Sequence, residues 1–329
     1  MSAGTAWNSS RQNDSLSLAL SGERPARELL ARFAGIGLVR GEYVFRALGL
    51  YPTHPVAQEQ LFAYLDELCT LSPGQVVYRT MEVTAAEANT LTGVEEVIDE
   101  DAHSLMGIRG VRRHMRHPES LSAEFRVLRE IHRKHPNLVV ISPFVSAVDE
   151  FVWFRDKALA EVGPDCRTGT MIETPAAVLD ADALVAAGAR TVVVGTNDLG
   201  SLLAARPRLP DVHTELVPGM ARALRHVRHA SNADDYRMHV AGYLTPPLME
   251  AASQAGADTC VVHYSDLPRL LGDAYAEIPY LDHLARVKKK TRAAIAEQAR
   301  NKQAEGRNEN VRAGRNSGSR SDGITVDRP

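Results

Sequence analysis

RTGTMIETPAAVLDADALVAAGARTVVVGTNDL, residues 167–199, holds two short apolar runs that each lead into an acid, Glu173 after the first and Asp198 after the second. Both runs are apolar on both faces and rich in β-branched residues, as parallel strands covered by helices are. Between them lies a helical pattern. It opens with a threonine cap at Thr174 and a proline in the first turn at Pro175, and it gives way at Gly188, the start and stop signals of a helix. The segment is therefore one strand–helix–strand unit with a carboxylate at the C-terminal end of each strand.

The same unit recurs outward in both directions. Further strand candidates are 15–20, 35–40, 75–80, 137–142, 237–242 and 258–264, with apolar residues at three- and four-residue steps between them. Eight such units between residues 14 and 281 match a closed parallel (β/α)8 TIM barrel, an α/β fold. An open doubly wound sheet competes, but no glycine fingerprint follows the first strand. Residues 85–104 fit neither strand nor regular helix and read as an insertion after the third strand. Residues 1–13 and 306–329 have the composition of disordered ends. Residues 282–305 read as a charged helix leaving the core, its basic face (Lys288, Lys289, Lys290, Arg292) solvated.

Bulk composition narrows the class. Of 329 residues, 44% are hydrophobic, enough for a large core. A formal charge of −3 and only 5% aromatics give no nucleic-acid surface. Cys69, Cys166 and Cys260 are far apart and read as free thiols in a reducing compartment. There is no apolar leader and no run of about 18 apolar residues. The expectation is a soluble, cytoplasmic protein away from membranes.

In a parallel barrel the working groups sit at the C-terminal strand ends. Those positions supply Arg40 and Glu42, Arg79 and Glu82, Arg109 and Arg112, Glu173, Asn197 and Asp198, then Arg206 and Arg208, all expected to converge on one mouth. Two carboxylates with room for other oxygens suit Mg²⁺. Arginines around such an ion suit a small polyanion, whose phosphate or carboxylate a guanidinium grips with paired hydrogen bonds. No His/Cys set favours zinc. Taken singly, any one of these arginines reads as well as a structural salt bridge.

GIGLVRGEYVF, VVYRTMEV, MGIRGVR, GTMIETPAA and VVVGTNDL, in that order, resemble the phosphoenolpyruvate-binding barrel of PEP-utilising enzymes over about residues 15–275. The group includes enzyme I of the sugar phosphotransferase system, pyruvate phosphate dikinase and phosphoenolpyruvate synthase. The resemblance implies Mg²⁺ on Glu173 and Asp198. It implies substrate binding by Arg40, Arg79, Arg109, Asn197 and Arg208. The sequence also departs from the pattern. Gly41 stands for the family's Thr in its RTE block, and Glu82 for an Asp. In the Cys–Gly–Glu block of the seventh strand, Gly242 is kept, but Ala241 replaces the proton-transferring Cys and Tyr243 the Glu. No swivelling phosphohistidine domain is expected in the residues before the barrel. Tyr243 and His263 are the substitute acid/base candidates, although each reads equally as a rim or wall residue.

These features lead to an enzyme of phosphoenolpyruvate, pyruvate or a close 2-oxo acid, acting through a metal-stabilised enolate. Phosphoryl-transfer chemistry is the first expectation, with a small acceptor or a separate phospho-acceptor protein. A carbon–carbon lyase of the aldolase or citrate-lyase kind is the second, and a non-catalytic phosphoenolpyruvate sensor the third. Relatives of the barrel often pair through loops near the active site, so a homodimer is a further expectation.

Overall fold

Inward and outward side chains alternate along eight short strands, and that alternation builds the molecule. The computed structural model describes residues 16–94, 107–206 and 217–317. Its strands are β1 (Leu16–Leu20), β2 (Ile36–Arg40), β3 (Val76–Arg79), β4 (Leu138–Ser142), β5 (Thr168–Ile172), β6 (Thr191–Gly195), β7 (Arg237–Ala241) and β8 (Thr259–His263). They pair in parallel, each with the next, and β8 closes onto β1 as a barrel. This is the (β/α)8 fold expected from the sequence.

Outward residues such as Leu18, Val39, Tyr78, Ile172, Val194 and Val240 join the large core under the surrounding helices. Inward residues form a separate apolar layer that includes Ala19, Leu38, Val77, Met171, Ala241 and Val261. Strands that are apolar on both faces are the direct result. Strand β2 needs one correction of phase. Its pairing slips between Ile36 and Val39. A Cβ on Gly37 would lie 2.8 Å from the Val261 side chain and 2.9 Å from Ser17 Cβ. A residue without a side chain lets the strand bulge there, which turns Leu38 and then Arg40 inward.

The helix Pro175–Leu179 starts as its sequence suggests. The Thr174 hydroxyl accepts the Ala177 N–H at 3.1 Å, with Pro175 in the first turn. Thr245 caps Pro246–Gln254 in the same way. Cys69, Cys166 and Cys260 are buried free thiols, and burial pushes Cys260 up to about 12. Among the described residues, no helix is long and apolar enough to cross a membrane.

Two expectations about the periphery change. The stretch after β3 begins with a regular helix, Ala85–Asn89, closed by a reciprocal cap between Thr84 and Glu87; residues 95–104 lie outside the described residues. The C-terminal helix runs from His283 to Ser317, beyond the expected end at 305. It does not leave the core. It packs on the helix Gly41–Leu48 and on Ala85–Asn89, over the C-terminal mouth of the barrel. Arg46 Nε donates to Thr291 Oγ1 at 3.1 Å, Lys290 Nζ to the Ala47 carbonyl at 2.8 Å, and Gln298 to the Asn89 carbonyl at 2.5 Å.

Candidate active site

Two residues beyond the inner apolar layer, each strand delivers its next inward side chain. Ala19, Leu38, Val77, Met171, Val193 and Val261 are thus followed by Ser21, Arg40, Arg79, Glu173, Gly195 and His263. All but Ser21 line a cavity of about 1150 Å³ whose floor includes Ala19, Leu38, Met171, Ala241 and Val261. The two-residue period of a strand is what assembles this ring.

Arg79 is 6% exposed and sits among three carboxylates: Glu42 at 2.6 Å, Glu82 at 2.6 Å and Glu173 at 3.6 Å. Arg109 lies just ahead of the helix Gly110–Arg116. It pairs with Glu82 and reaches Asp198 at 3.3 Å, with its guanidinium 4.0 Å above the Phe144 ring. Phe144 has φ 45°, an uncommon value for a bulky residue, and its N–H points at Glu173 Oε2, 3.2 Å away. Two guanidinium groups, of Arg79 and Arg109, therefore serve four carboxylates, of Glu42, Glu82, Glu173 and Asp198. Burial, with the repulsion of Glu82 and Asp198 added to it, pushes the Glu173 carboxyl well above the usual range.

That imbalance bears on a metal. Among the described residues no group of three or more His, Cys, Asp or Glu side chains forms a closed metal centre. Glu173 lines the cavity, and Asp198 is buried and joined to the lining through Arg109 at 3.3 Å, with an excess of negative charge around the two. The backbone also makes room for one of them: a Cβ on Gly195 would come within 2.6 Å of Glu173 Cγ and Oε1. This donor set suits a hard divalent ion that takes its remaining ligands from substrate and water.

The other expected residues are placed as follows. Arg40 donates through Nε to Ser21 Oγ at 2.9 Å and stacks 4.4 Å from the Tyr43 ring. Asn197 lines the cavity, and its Oδ1 accepts the Tyr243 N–H at 2.9 Å. Tyr243 is at the rim, with the Arg269 guanidinium 4.3 Å from its ring centre. His263 faces the cavity. Its Nδ1 accepts the Ser265 N–H at 3.1 Å, and its Nε2 lies 3.0 Å from both Ser21 Oγ and Arg40. Burial, then Arg40 and Lys288, hold this imidazole well below its ordinary pKa and keep it neutral. Arg206 lines the cavity, while Arg208 lies outside the described residues. Arg112 does not converge: three residues along the helix from Arg109, it turns to Glu150 at 2.5 Å.

Sequence reasoning missed Ser21, Tyr43, Arg46 and the cavity-facing side of the C-terminal helix, where Lys288 and Arg292 contribute to the lining. The signal was faint. Leu284, Val287, Thr291 and Ile295 make one narrow stripe at helical spacing on an otherwise charged segment.

The family model described as "PEP-utilising enzyme, PEP-binding domain" matches residues 21–269. The chain belongs to this family. A phosphoenolpyruvate synthase of Pyrococcus furiosus is 30% identical over 210 residues, 59% of this chain and 26% of that protein. A multiphosphoryl transfer protein of Xanthomonas campestris is 28% identical over 242 residues, 71% of this chain and 28% of that protein. The chain thus spans about a quarter of the length of these curated relatives. Among solved structures, an HpcH/HpaI aldolase from Desulfitobacterium hafniense aligns over 85% of this chain and 94% of its own at 14% identity, with a TM-score of 0.43.

Two departures from the family pattern implied by the sequence resemblance have visible physical settings. A Cβ at Gly41 would run into the Tyr78 hydroxyl and lie 2.9 Å from the Arg79 carbonyl oxygen. Tyr78 itself is fixed by donating to the buried Glu124 at 2.6 Å. The threonine of the family pattern has no space here. Ala241, in place of the Cys, is 2% exposed and belongs to the apolar floor, so that floor presents hydrocarbon where a thiol would stand.

Proposed function

We propose that this barrel binds phosphoenolpyruvate, pyruvate or a close 2-oxo acid together with Mg²⁺, and stabilises the enolate form of its ligand. The observation that carries this reading is the strand-end cluster of Arg79 and Arg109 with Glu173 and Asp198, facing an apolar floor. Glu173 and Asp198 would hold the ion. When bound, it supplies positive charge against an enolate or phosphoryl oxygen. Arg40, Arg79 and Arg109 then grip carboxylate and phosphate oxygens, and Arg208 would join them as the family pattern suggests. Asn197 holds the β7 loop through the Tyr243 amide. The apolar floor keeps water from the face of the ligand that rests on it.

Proton transfer falls to Tyr243 in this reading, because its hydroxyl-bearing ring stands at the rim two residues beyond Ala241. The neutral His263 acts through Nε2, which lies 3.0 Å from Ser21 Oγ and from Arg40 and helps hold both in place. Calorimetric titration of phosphoenolpyruvate with and without Mg²⁺, joined to deuterium exchange of the pyruvate methyl group, tests both halves. Mg²⁺-dependent binding with exchange is expected. No Mg²⁺-dependent binding would end the proposal, and binding without exchange would reduce it to a sensor.

The hydrocarbon at Ala241 favours one second reading, in which the enolate carbon meets a carbon electrophile, as in a lyase or aldolase. New products from pyruvate and an aldehyde acceptor in the presence of Mg²⁺ would identify that chemistry. Phosphoryl transfer would instead release pyruvate from phosphoenolpyruvate as a phosphorylated acceptor forms.

A further inference from the structure

The cavity is too large for one small acid. Pockets of roughly 300–1,000 Å³ enclose drug-sized ligands, whereas this one is about 1150 Å³ and phosphoenolpyruvate is far smaller. Its two halves also differ in charge. The inner half holds the excess of carboxylates described above. The outer half is roofed by the C-terminal helix, which contributes Leu284, Lys288, Thr291, Arg292 and Ile295 to the lining, two cations and no acid.

Carboxylates in the outer lining are already engaged. Glu87 pairs with Arg46 at 3.0 Å, and Asp266 with Arg269 at 3.3 Å. Arg292 has no ion-pair partner among the described residues. Arg46, 8% exposed, is fixed at the seam between roof and barrel by Thr291. The Tyr43 ring lies 4.4 Å from the Arg40 guanidinium and 4.7 Å from that of Arg46, so one ring marks the boundary between the halves.

We propose that the outer half is a second anion subsite, formed by Lys288 and Arg292 of the roof with Arg46 behind them. It takes the phosphate end of a small phosphorylated co-substrate while the inner half holds the first. The word co-substrate rests on the function proposed above; the subsite itself does not. A small molecule is the favoured occupant because the helix crosses the mouth and is tied to it by Arg46, Lys290 and Gln298, which obstructs a protein-borne group.

The test is calorimetric titration of inorganic phosphate, and separately of glycerol 3-phosphate, into four proteins: wild type, Glu173→Gln, Lys288→Gln/Arg292→Gln, and Lys289→Gln as a charge-removing control on the same helix away from the cavity. Expected is saturable binding that is unchanged in Glu173→Gln and in the control, and weakened at least tenfold in the double variant. Thermal unfolding of the double variant should match wild type, since both its changes are in side chains that are not buried. Wild type pre-loaded with phosphoenolpyruvate and Mg²⁺ should still take one phosphate. Phosphate alone binding would identify free phosphate as the occupant, and both ligands binding a phosphate ester; either supports the subsite. Absence of saturable binding in wild type, or equal binding in the double variant, overturns it. Phosphoenolpyruvate binding fails independently if the inner reading is wrong, so the two failures are distinguishable.

Discussion

Glu173 shows what one residue must satisfy here. It accepts an N–H from a strained Phe144, lies near Arg79, and is repelled by Glu82 and Asp198. If it and Asp198 hold Mg²⁺, Glu173→Gln and Asp198→Asn should each abolish Mg²⁺-dependent binding of phosphoenolpyruvate by calorimetry; titration curves unchanged in both would refute the assignment. Tyr243→Phe removes one hydroxyl from the rim. As the proton donor, its loss should slow turnover by about 10²-fold or more with the binding constant unchanged, and a rate equal to wild type would remove it from the mechanism. At this scale the sequence was legible where a side chain follows a strand directly, as for Arg40, Arg79 and Glu173. It failed for Arg112, whose direction depends on its turn in a helix rather than on a strand end. Ser21 gave no signal because a serine earns attention only from its neighbours, here Arg40 and His263.

Elements carry the next level of specification. The step of two residues from inner core to site means that a strand-end glycine is part of the site's shape. Gly195→Ala would place a methyl group 2.6 Å from the Glu173 side chain; it should leave the barrel folded by circular dichroism yet weaken Mg²⁺-dependent ligand binding at least tenfold. A purely local cap makes a contrasting case. Thr174→Ala removes the hydroxyl that accepts from Ala177 and donates to the Val145 carbonyl. Urea unfolding should show a loss of about 1 kcal/mol. All eight strands could be read from the chain because their apolar runs are bounded by turn signals. The C-terminal helix could not be docked from its sequence. Its buried stripe, centred on Val287 and Thr291, is one side chain wide, and nothing local shows which surface receives it.

For the whole molecule, buried histidines couple the fold to pH. His239 points into the barrel, and burial holds its pKa at about 4, against 6.5 for the free side chain. The unfolded chain therefore takes up the proton first as acid is added. Its contribution to stability is complete above pH 6.5 and is lost as pH falls towards 4. Between pH 6.5 and 5 the loss is about 2 kcal/mol, and His239→Gln should flatten the slope of the urea midpoint against pH over that range. An unchanged slope would show that His239 titrates alike in the folded and unfolded chain.

The roof and the barrel are joined unequally. Eight strand pairs lock the barrel to itself, whereas the roof meets the rim through side-chain hydrogen bonds such as those of Arg46, Lys290 and Gln298. Opening of the roof should thus be a separate, lower-energy event than global unfolding. Amide hydrogens around Val287–Ile295 should exchange with solvent deuterium faster than those of β5 and β6. A ligand spanning both halves of the chamber would slow them selectively, making the helix a built-in reporter of occupancy.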